Sequence, residues 1–197
     1  EIKECDWSSD VCSSDLNYNH EDLSGNLWVN AAELAGRFGV DDDGNGYIDD
    51  IFGINATVTK TSLSAGDPID TVGHGSHVAG IIGANGNNGR GIAGVAWKTR
   101  IMALKFITSS GGSVSAEIAG LDYAIAKKAQ IINGSFGSSS FSQSELDALK
   151  RVRDAGIIFV AAAGNDAQEI TSLPNYPAAY PLDNIVAVAA KIGRAHA

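Results

Sequence analysis

Apolar and polar residues form a regular pattern over the second half of the chain. Four runs rich in apolar and β-branched residues predict buried strands: "RIMALKFI" (100–107), "QIINGSFG" (130–137), "IIFVAAAGN" (157–165) and "NIVAVAA" (184–190). Two segments between them have the spacing of helices: "SVSAEIAGLDYAIAKKA" (113–129) and "SQSELDALKRVRDAG" (142–156). Buried strands that alternate with helices predict a three-layer α/β fold, with a mostly parallel sheet and helices on both faces.

The sequence also predicts where the second of these helices begins and ends. Ser142 or Ser144 suits the N-cap of the second helix, and Gly156 suits its C-terminal stop. The first half of the chain is looser, with one apolar helical stretch, "HGSHVAGIIGA" (74–84), between acidic and glycine-rich loops. Active sites of parallel sheets gather at the carboxyl ends of the strands, so we expect the chemistry there.

Composition limits the class of protein. The 197 residues, 44% of them hydrophobic, suffice for one domain around one core, and we expect a monomer. The net charge of −9 argues against nucleic acid as a partner, because phosphate binding requires clustered Lys and Arg. No apolar run is long enough to span a bilayer, and no secretion signal is visible.

The two ends of the chain read differently from the rest. "DWSSDVCSSDL" (6–16) back-translates into a sequence that resembles a sequencing-library adapter, and "IGRAH" (192–196) resembles the reverse complement of the same adapter. We therefore interpret residues 1–16 and 192–197 as adapter read-through and exclude them from fold reasoning. The alternative is a native, disordered tail rich in Ser and Asp. Both cysteines lie in the first segment, so cysteine usage gives no redox compartment.

Two histidines lie in "GHGSHVAGIIGA", residues 73–84. His74 and His77 are three residues apart on one helix, among small neighbours that leave the imidazoles unhindered. Neutral imidazole accepts a proton near neutral pH, which makes His74 a candidate general base. A buried histidine and half of a metal site are the alternatives, and we expect His77 to lie on the packed side of the helix.

A small-residue stretch ends the third predicted strand. In "FVAAAGND" (159–166), the Asn165 amide could donate a hydrogen bond to a developing oxyanion, although Gly-Asn after a strand is most often a turn. Together with the His motif, this stretch resembles the subtilisin-like serine proteases, the subtilases, over nearly all of residues 17–191. The resemblance implies a partial peptidase domain in which His74 is the general base and Asn165 completes the oxyanion hole.

The resemblance also implies how a polypeptide substrate binds. The peptide would lie as an added strand between two segments, Ser110-Gly111-Gly112 and Ser135-Phe136-Gly137. The small residues Ala162, Ala163 and Gly164 would border the primary specificity pocket. Backbone pairing of this kind gives affinity, and side-chain pockets give selectivity. Extracellular residence is a further expectation of the family.

The other two members of the Asp/His/Ser triad are missing from the sequence. Counting from "NYNHEDL" (17–23), the family aspartate would fall at Ser13, so that Asp6, Asp10 and Asp15 are all out of register. The segment with the nucleophilic serine would lie beyond Lys191. We therefore expect the intact protein to be a serine endopeptidase and this fragment to be inactive. The alternative is a noncatalytic, calcium-stabilised binding domain of subtilase type.

An acidic loop, "DDDGNGYIDD" (41–50), has the spacing of a calcium loop. Asp41, Asp43, Asn45 and Asp49 occupy positions one, three, five and nine, and Tyr47 offers its carbonyl at position seven. Position twelve is Phe52 rather than the bidentate Glu, so a ligand from elsewhere must complete a structural calcium site. A solvated acidic turn is the alternative.

Two further loops contain motifs of known binding sites. Asp22 and the Asn87-Asn88 loop resemble another calcium position of the family. "GRGIAG" (89–94) satisfies Gly-x-Gly-x-x-Gly, but a dinucleotide fingerprint must leave a strand and open a helix, whereas these residues follow the His helix. We therefore do not expect a nucleotide-binding oxidoreductase.

Overall fold

The structure is a computed structural model and describes residues 15–165 and 170–189 together with the backbone of 10–13. Its eight strands are β1 (Asp10–Ser13), β2 (Gly53–Asn55), β3 (Arg100–Lys105), β4 (Ile107–Thr108), β5 (Gly111–Gly112), β6 (Ile131–Gly134), β7 (Ile158–Ala162) and β8 (Ile185–Val188). The α-helices are α1 (Ala31–Ala35), α2 (His74–Gly83), α3 (Val114–Ala126) and α4 (Gln143–Asp154). Short 3-10 turns occur at Ser24–Asn26 and Leu63–Gly66.

Six of the strands form one parallel sheet in the order β2-β3-β1-β6-β7-β8. Strands β4 and β5 form a separate antiparallel ribbon. The four predicted strands and two predicted helices between residues 100 and 189 are present, with somewhat shorter bounds. Strand β8 is not buried as predicted, because Val186, Ala187 and Val188 are exposed. The Ser142 hydroxyl accepts the Glu145 amide at the start of α4, and Gly156 follows the helix with a φ of 76°.

The helices cover both faces of the sheet, and β3 shows this most clearly because its side chains alternate. Met102 and Leu104 belong to the large core beneath α3 and α4, whereas Ile101 and Ala103 belong to a smaller core with Ala79 of α2. The three-layer α/β architecture predicted from the sequence is therefore confirmed. Along β7 and β8 the α2 side is less covered, and Ile158 and Val188 are about half exposed there, at 47% and 50%.

Strand β1 occupies a central position in the sheet, between β3 and β6. Residues 15 and 16, which follow it, are buried, and the Leu16 amide donates to the Pro68 carbonyl (3.0 Å). The sequence interpretation excluded this segment from the fold, yet in the structure it forms the strand that precedes the candidate site. Its adapter origin concerns the gene rather than the fold and stays a prediction, as does the division of the chain at residues 17 and 191.

Helices cross a bilayer only when they are both long and apolar. None of those within residues 15–165 and 170–189 combines the length and apolarity that a bilayer crossing requires.

Candidate active site

His74 is the first residue of α2 and is exposed. The helix begins where it does because Gly73 takes a φ of 95° and turns the chain into the first helical residue. The Asp70 carboxylate holds this turn. It accepts the backbone amides of Val72 (2.7 Å), Gly73 (2.6 Å) and Ser76 (2.9 Å), and the Ser76 hydroxyl (2.6 Å). Four donors on one carboxylate fix the backbone from which the imidazole projects.

These donors determine the charge of Asp70. Burial acts to raise its pKa, but the hydrogen bonds from Gly73, Ser76 and Val72 outweigh burial and lower the pKa to about 2. Asp70 is therefore an anion at neutral pH, four residues before the candidate base. The sequence analysis missed this residue, although an Asp shortly before a Gly at a helix start is a recognisable turn signal.

A second carboxylate, Asp15, lies beside Asp70. Burial, followed by the charge of Asp70 and a hydrogen bond with it, raises the pKa of Asp15 to about 6, while the Lys105 and His74 charges act in the opposite direction. The position that the sequence analysis assigned to the missing aspartate is Ser13, which pairs with Ala103 at the end of β1. The assignment of that register stays a prediction.

His77 lies on the exposed side of α2, so the expectation that it is packed was wrong. The buried residues of the helix are Gly75, Ala79, Gly80 and Gly83. Small residues face the sheet because the helix lies close to it: a Cβ on Gly83 would stand 2.4 Å from the Thr99 side chain. An imidazole cannot fit into that narrow gap, and His77 therefore points away from it.

The two segments predicted to hold a peptide are close to each other. Gly111 and Gly112 form β5, and Ser110 stands at the exposed turn that precedes it. On the other side, Ser135 accepts the Asn133 side-chain amide (2.9 Å), and the Phe136 ring packs edge-on against Phe106 at 4.8 Å.

One cavity joins these two segments. Gly112, Phe136 and Gly137 line the same volume of about 380 Å³. The structure thus brings Gly112 of the first segment and Phe136 and Gly137 of the second to a common groove.

The third small-residue segment ends β7. Ala162 is the last residue of the strand, Ala163 donates to the Val188 carbonyl (2.9 Å), and Gly164 takes a φ of 106° that turns the chain. Asn165 follows this turn and is exposed. Because β6 and β7 are parallel neighbours, Asn165 lies at the same edge of the sheet as Ser135–Gly137.

Asn175 connects the two segments at that edge. Its amide donates to the Ala162 carbonyl (3.3 Å), and its side chain fills the space next to both Gly137 and Gly164. A Cβ on Gly137 would stand 2.4 Å from the Asn175 amide nitrogen. The sequence analysis missed Asn175, because nothing in the local sequence indicates a contact with residues that lie so far along the chain.

The comparisons with known proteins decide the family. The model of the subtilase family matches residues 10–193, almost the whole chain. The chain belongs to the subtilase family.

Its relatives are much longer than the chain. Subtilisin-like protease 1 of Plasmodium berghei is 41% identical over 166 residues, which are 84% of this chain and 27% of that protein. The minor extracellular protease Epr of Bacillus subtilis is 43% identical over 122 residues, 61% of this chain and 18% of that protein. The crystal structure of fervidolysin from Fervidobacterium pennivorans, a keratinolytic enzyme related to subtilisin, has a TM-score of 0.63 at 25% identity. That match covers 88% of this chain and 24% of fervidolysin.

The acidic loop of this subtilase folds around its own backbone amides. Asp41 accepts the amides of Asn45 (3.1 Å) and Gly46 (2.8 Å), and Asp43 accepts the same Asn45 amide (3.1 Å). The Tyr47 amide donates to the Asn45 side chain (2.7 Å). Four of the five predicted ligands are therefore connected within one turn. The fifth, Asp49, instead accepts the Gly39 amide (2.8 Å).

Two carboxylates outside the predicted set lie near these ligands: Glu33 of α1 and Asp50, the last residue of the loop. Ligand oxygens of Glu33, Asp43 and Asp50 all lie within 4.8 Å of one another. Glu33, from α1, also accepts the amides of Asp42 (2.8 Å) and Asp43 (2.9 Å). The Lys127 ammonium lies 2.5 Å from Asp43 and 3.7 Å from Asp50. The additional ligand that the loop requires can thus come from α1, and a lysine neutralises part of the acidic charge.

The residues of the second candidate calcium loop lie close to one another. Asp22 accepts the Asn88 side chain (2.7 Å) and the Ile92 amide (3.0 Å), and Asn87 adopts a φ of 60° beside them. The hydrogen bond from Asn88 is the largest cause of the lowered pKa of Asp22. The glycines of 89–94 belong to this loop between α2 and β3, which is the wrong context for a dinucleotide fingerprint, as the sequence analysis argued.

Proposed function

We propose that this chain is part of a serine endopeptidase that cleaves polypeptides by acyl transfer. His74 removes the proton from a serine supplied by the rest of the protein and returns it to the leaving amine, and the Asn165 amide stabilises the oxyanion of the tetrahedral intermediate. The proposal rests on the geometry at the start of α2. Four hydrogen bonds to Asp70 hold the backbone there, and His74 projects from it and is exposed. Membership of the subtilase family supports it.

A fluorophosphonate probe tests this proposal on the full-length protein that contains the chain. The probe reacts with a serine only where a general base activates it, so the parent should label and His74→Ala should not. His77→Ala is the matched control, because His77 lies on the same helix and is exposed. Labelling that survives in His74→Ala would contradict the assignment of the base.

Peptide binding in the groove is part of the same proposal. The substrate would extend as a strand between Ser110–Gly112 and Ser135–Gly137, with Ala162–Gly164 beside the residue that precedes the scissile bond. Support comes from the common cavity of the first two segments and from the contact of Asn175 with Gly137 and Gly164. Gly137→Val should raise KM for peptide substrates more than it lowers kcat, because the added side chain would displace Asn175, which connects Gly137 to Ala162, and so distort the groove.

A noncatalytic binding domain is the second candidate. Ser13 in the register of the triad aspartate favours it, because an unassisted imidazole is a poor general base. Sequencing of genomic DNA outward from the codons of Asn17 and Lys191 distinguishes the candidates. An Asp codon four positions before Asn17 and a downstream Gly-Thr-Ser segment support the protease. A genome that encodes residues 5–16 as "CDWSSDVCSSDL" supports the binding domain.

We also propose a structural calcium site at the acidic loop. Asp41 and Asp43 would supply ligands, and the nearby carboxylates of Glu33 and Asp50 are of the type that calcium prefers. Chelation should lower the Tm of the full-length protein, and Asp43→Ala should abolish that shift. Lys127→Ala sharpens the test, because removal of the competing ammonium should increase the calcium-dependent shift. An unchanged Tm on chelation would overturn the proposal.

Location and assembly complete the proposal. Secretion is the expectation, and it is supported by a relative named as an extracellular protease. A monomer is the simplest assembly for this enzyme. Detection of the protein in culture medium, with its mass measured in solution, tests both.

A further inference from the structure

The cavity at the groove, which Gly112, Phe136 and Gly137 line, is a pocket with aromatic walls. Its volume is about 380 Å³, which is enough for a long side chain. Phe106 and Phe136 pack edge-on at 4.8 Å on one side, and Phe141 and Tyr176 pack edge-on at 5.6 Å on the other. Gly112 lines the same pocket, so a peptide strand that runs along β5 would pass its mouth.

Two acidic residues, Glu117 of α3 and Glu145 of α4, also line this pocket. They are only 6% and 5% exposed, and their carboxyl groups hydrogen-bond to each other. Tyr180 donates to Glu145 (2.8 Å). Burial, followed by the charge of Glu145, raises the pKa of Glu117, so that the pair retains a proton near neutral pH.

Glu117 is incompletely paired. Its Oε1 atom is buried and has no hydrogen-bond partner among the described residues. Buried polar atoms in folded proteins nearly always have a partner, and an unpaired acceptor is costly. A second cavity of about 20 Å³ adjoins Glu117 and is bordered by Phe106 and Phe136, so the carboxyl group has free space next to it. A ligand that brings a hydrogen-bond donor into the pocket would satisfy this atom.

We propose that the pocket binds a lysine or arginine side chain of the substrate and that Glu117 determines this specificity. The aliphatic stem would pack between the aromatic rings, and the charged end would reach the carboxyl pair. No Lys, Arg or His is among the described residues that line the two cavities, so the cation must come from the ligand. The inference rests on the proposed function, because the groove supplies the peptide that carries the side chain.

Peptide binding can be separated from cleavage. The full-length protein with His74→Ala keeps peptides intact, and fluorescence anisotropy then gives the Kd of peptides in which a single Arg is moved through successive positions. Each Arg peptide has two partners, one with norleucine and one with citrulline, which match the stem and the shape of the side chain without its charge. We expect one position at which Arg binds about tenfold or more tighter than either partner.

Variants assign the effect to the pocket. Glu117→Gln should reduce the Arg preference to about twofold or less while norleucine peptides bind as before, and Glu145→Gln should reduce it in the same direction. Asp122→Asn is the matched control, because Asp122 lies on the same helix and is exposed in a pair with Arg151. It should leave the Arg preference unchanged.

The outcomes separate this inference from the proposed function. A protein that never cleaves peptides but binds Arg peptides in a Glu117-dependent way contradicts the protease and supports the pocket. Equal binding of Arg and citrulline, no preferred position, no peptide binding at all, or a preference that survives Glu117→Gln each overturns the pocket proposal.

Discussion

The loop before α2 and the pocket beside β5 each contain a partly or fully buried acid. The pKa values of these two acids are shifted in opposite directions. Asp70 receives four hydrogen bonds and has a pKa lowered to about 2. Glu117 faces another carboxyl group, and its pKa is raised to about 8. Burial raises the pKa at both positions, so the donors that each backbone can offer cause the difference.

Those donors follow from the local structure. Asp70 precedes a helix, where the first backbone amides have no partner within the helix and are free to donate. Glu117 lies inside the first turns of α3, and its own amide already donates to the Ser113 carbonyl (3.0 Å). A carboxylate before a helix therefore finds donors at no structural cost, whereas one on the buried face of a helix depends on other side chains or on a ligand.

The largest expected effect is the pH dependence of stability caused by Glu117. Its ordinary pKa is 4.5, so between about pH 4.5 and 8 the folded chain keeps a proton that the unfolded chain has released. Stability from this group is complete below pH 4.5 and is lost as the pH rises towards 8. The loss is on the order of 5 kcal/mol. Glu117→Gln should remove it, measured as the free energy of unfolding of parent and variant from pH 4.5 to 8.5.

The difference between the two proteins isolates the Glu117–Glu145 pair, because every titration outside the pair is shared. Glu117→Leu is a second variant, and at pH 8.5 it should unfold at a higher temperature than the parent. Parallel pH curves for the parent and Glu117→Gln would contradict the raised pKa.

Removal of Asp70 should have the second largest effect. Asp70→Ala leaves the amides of Val72, Gly73 and Ser76 without their acceptor, and the expected loss is about 2 kcal/mol at pH 7. For a chain of this size that corresponds to a Tm lower by roughly 5 °C. This contribution is present above pH 3.8 and is lost as the pH falls through 2, the opposite sign to that of Glu117. A Tm within 1 °C of the parent would contradict the role assigned to Asp70.

Sequence patterns predicted the sheet and the helices because these depend on periodicity. The helix from Gln143 to Asp154 was predicted with its Ser142 cap, since the cap, the apolar spacing and the terminal glycine are all local. The His motif and the subtilase resemblance likewise assigned His74 as the general base, and that assignment stays a prediction.

The acid pair escaped sequence analysis, although a signal existed. Glu117 begins an apolar stripe that continues at 120, 121 and 124, and Glu145 begins one that continues at 148, 149 and 152. A carboxyl group on the buried face of each of two helices indicates a buried polar pair. Contacts such as Glu33 with Asp43, or Asn175 with Gly137, had no local signal because they join separate segments.

A smaller effect is expected from the hydroxyl that supports the acid pair. Tyr180 donates to Glu145 at 2.8 Å, and its oxygen accepts the Ser142 amide (3.1 Å). Tyr180→Phe keeps the ring contacts and removes the Tyr180 hydroxyl. Among the described residues, only this hydroxyl and the Glu117 carboxyl group donate a hydrogen bond to the Glu145 side chain. The expected cost is about 1 kcal/mol, greater at pH 8 than at pH 5, because the ionised pair needs the donor more. Equal costs at the two pH values would show that the hydroxyl acts through Ser142 alone.

The smallest effect is expected at a carboxylate that has donors but no burial. The Asp147 carboxylate accepts hydrogen bonds from the Lys150 ammonium (2.7 Å) and from the Gln143 side-chain amide (3.0 Å). The hydrogen bond from Lys150 is the largest cause of the lowered pKa of Asp147. Water replaces these donors readily at an exposed site, so Asp147→Asn should change the Tm by less than about 1 °C, and added salt should reduce even that change. A shift as large as that of Asp70→Ala would mean that the number of donors, independent of burial, determines what a carboxylate contributes. A negligible shift would mean that donors stabilise this fold only where they replace lost water.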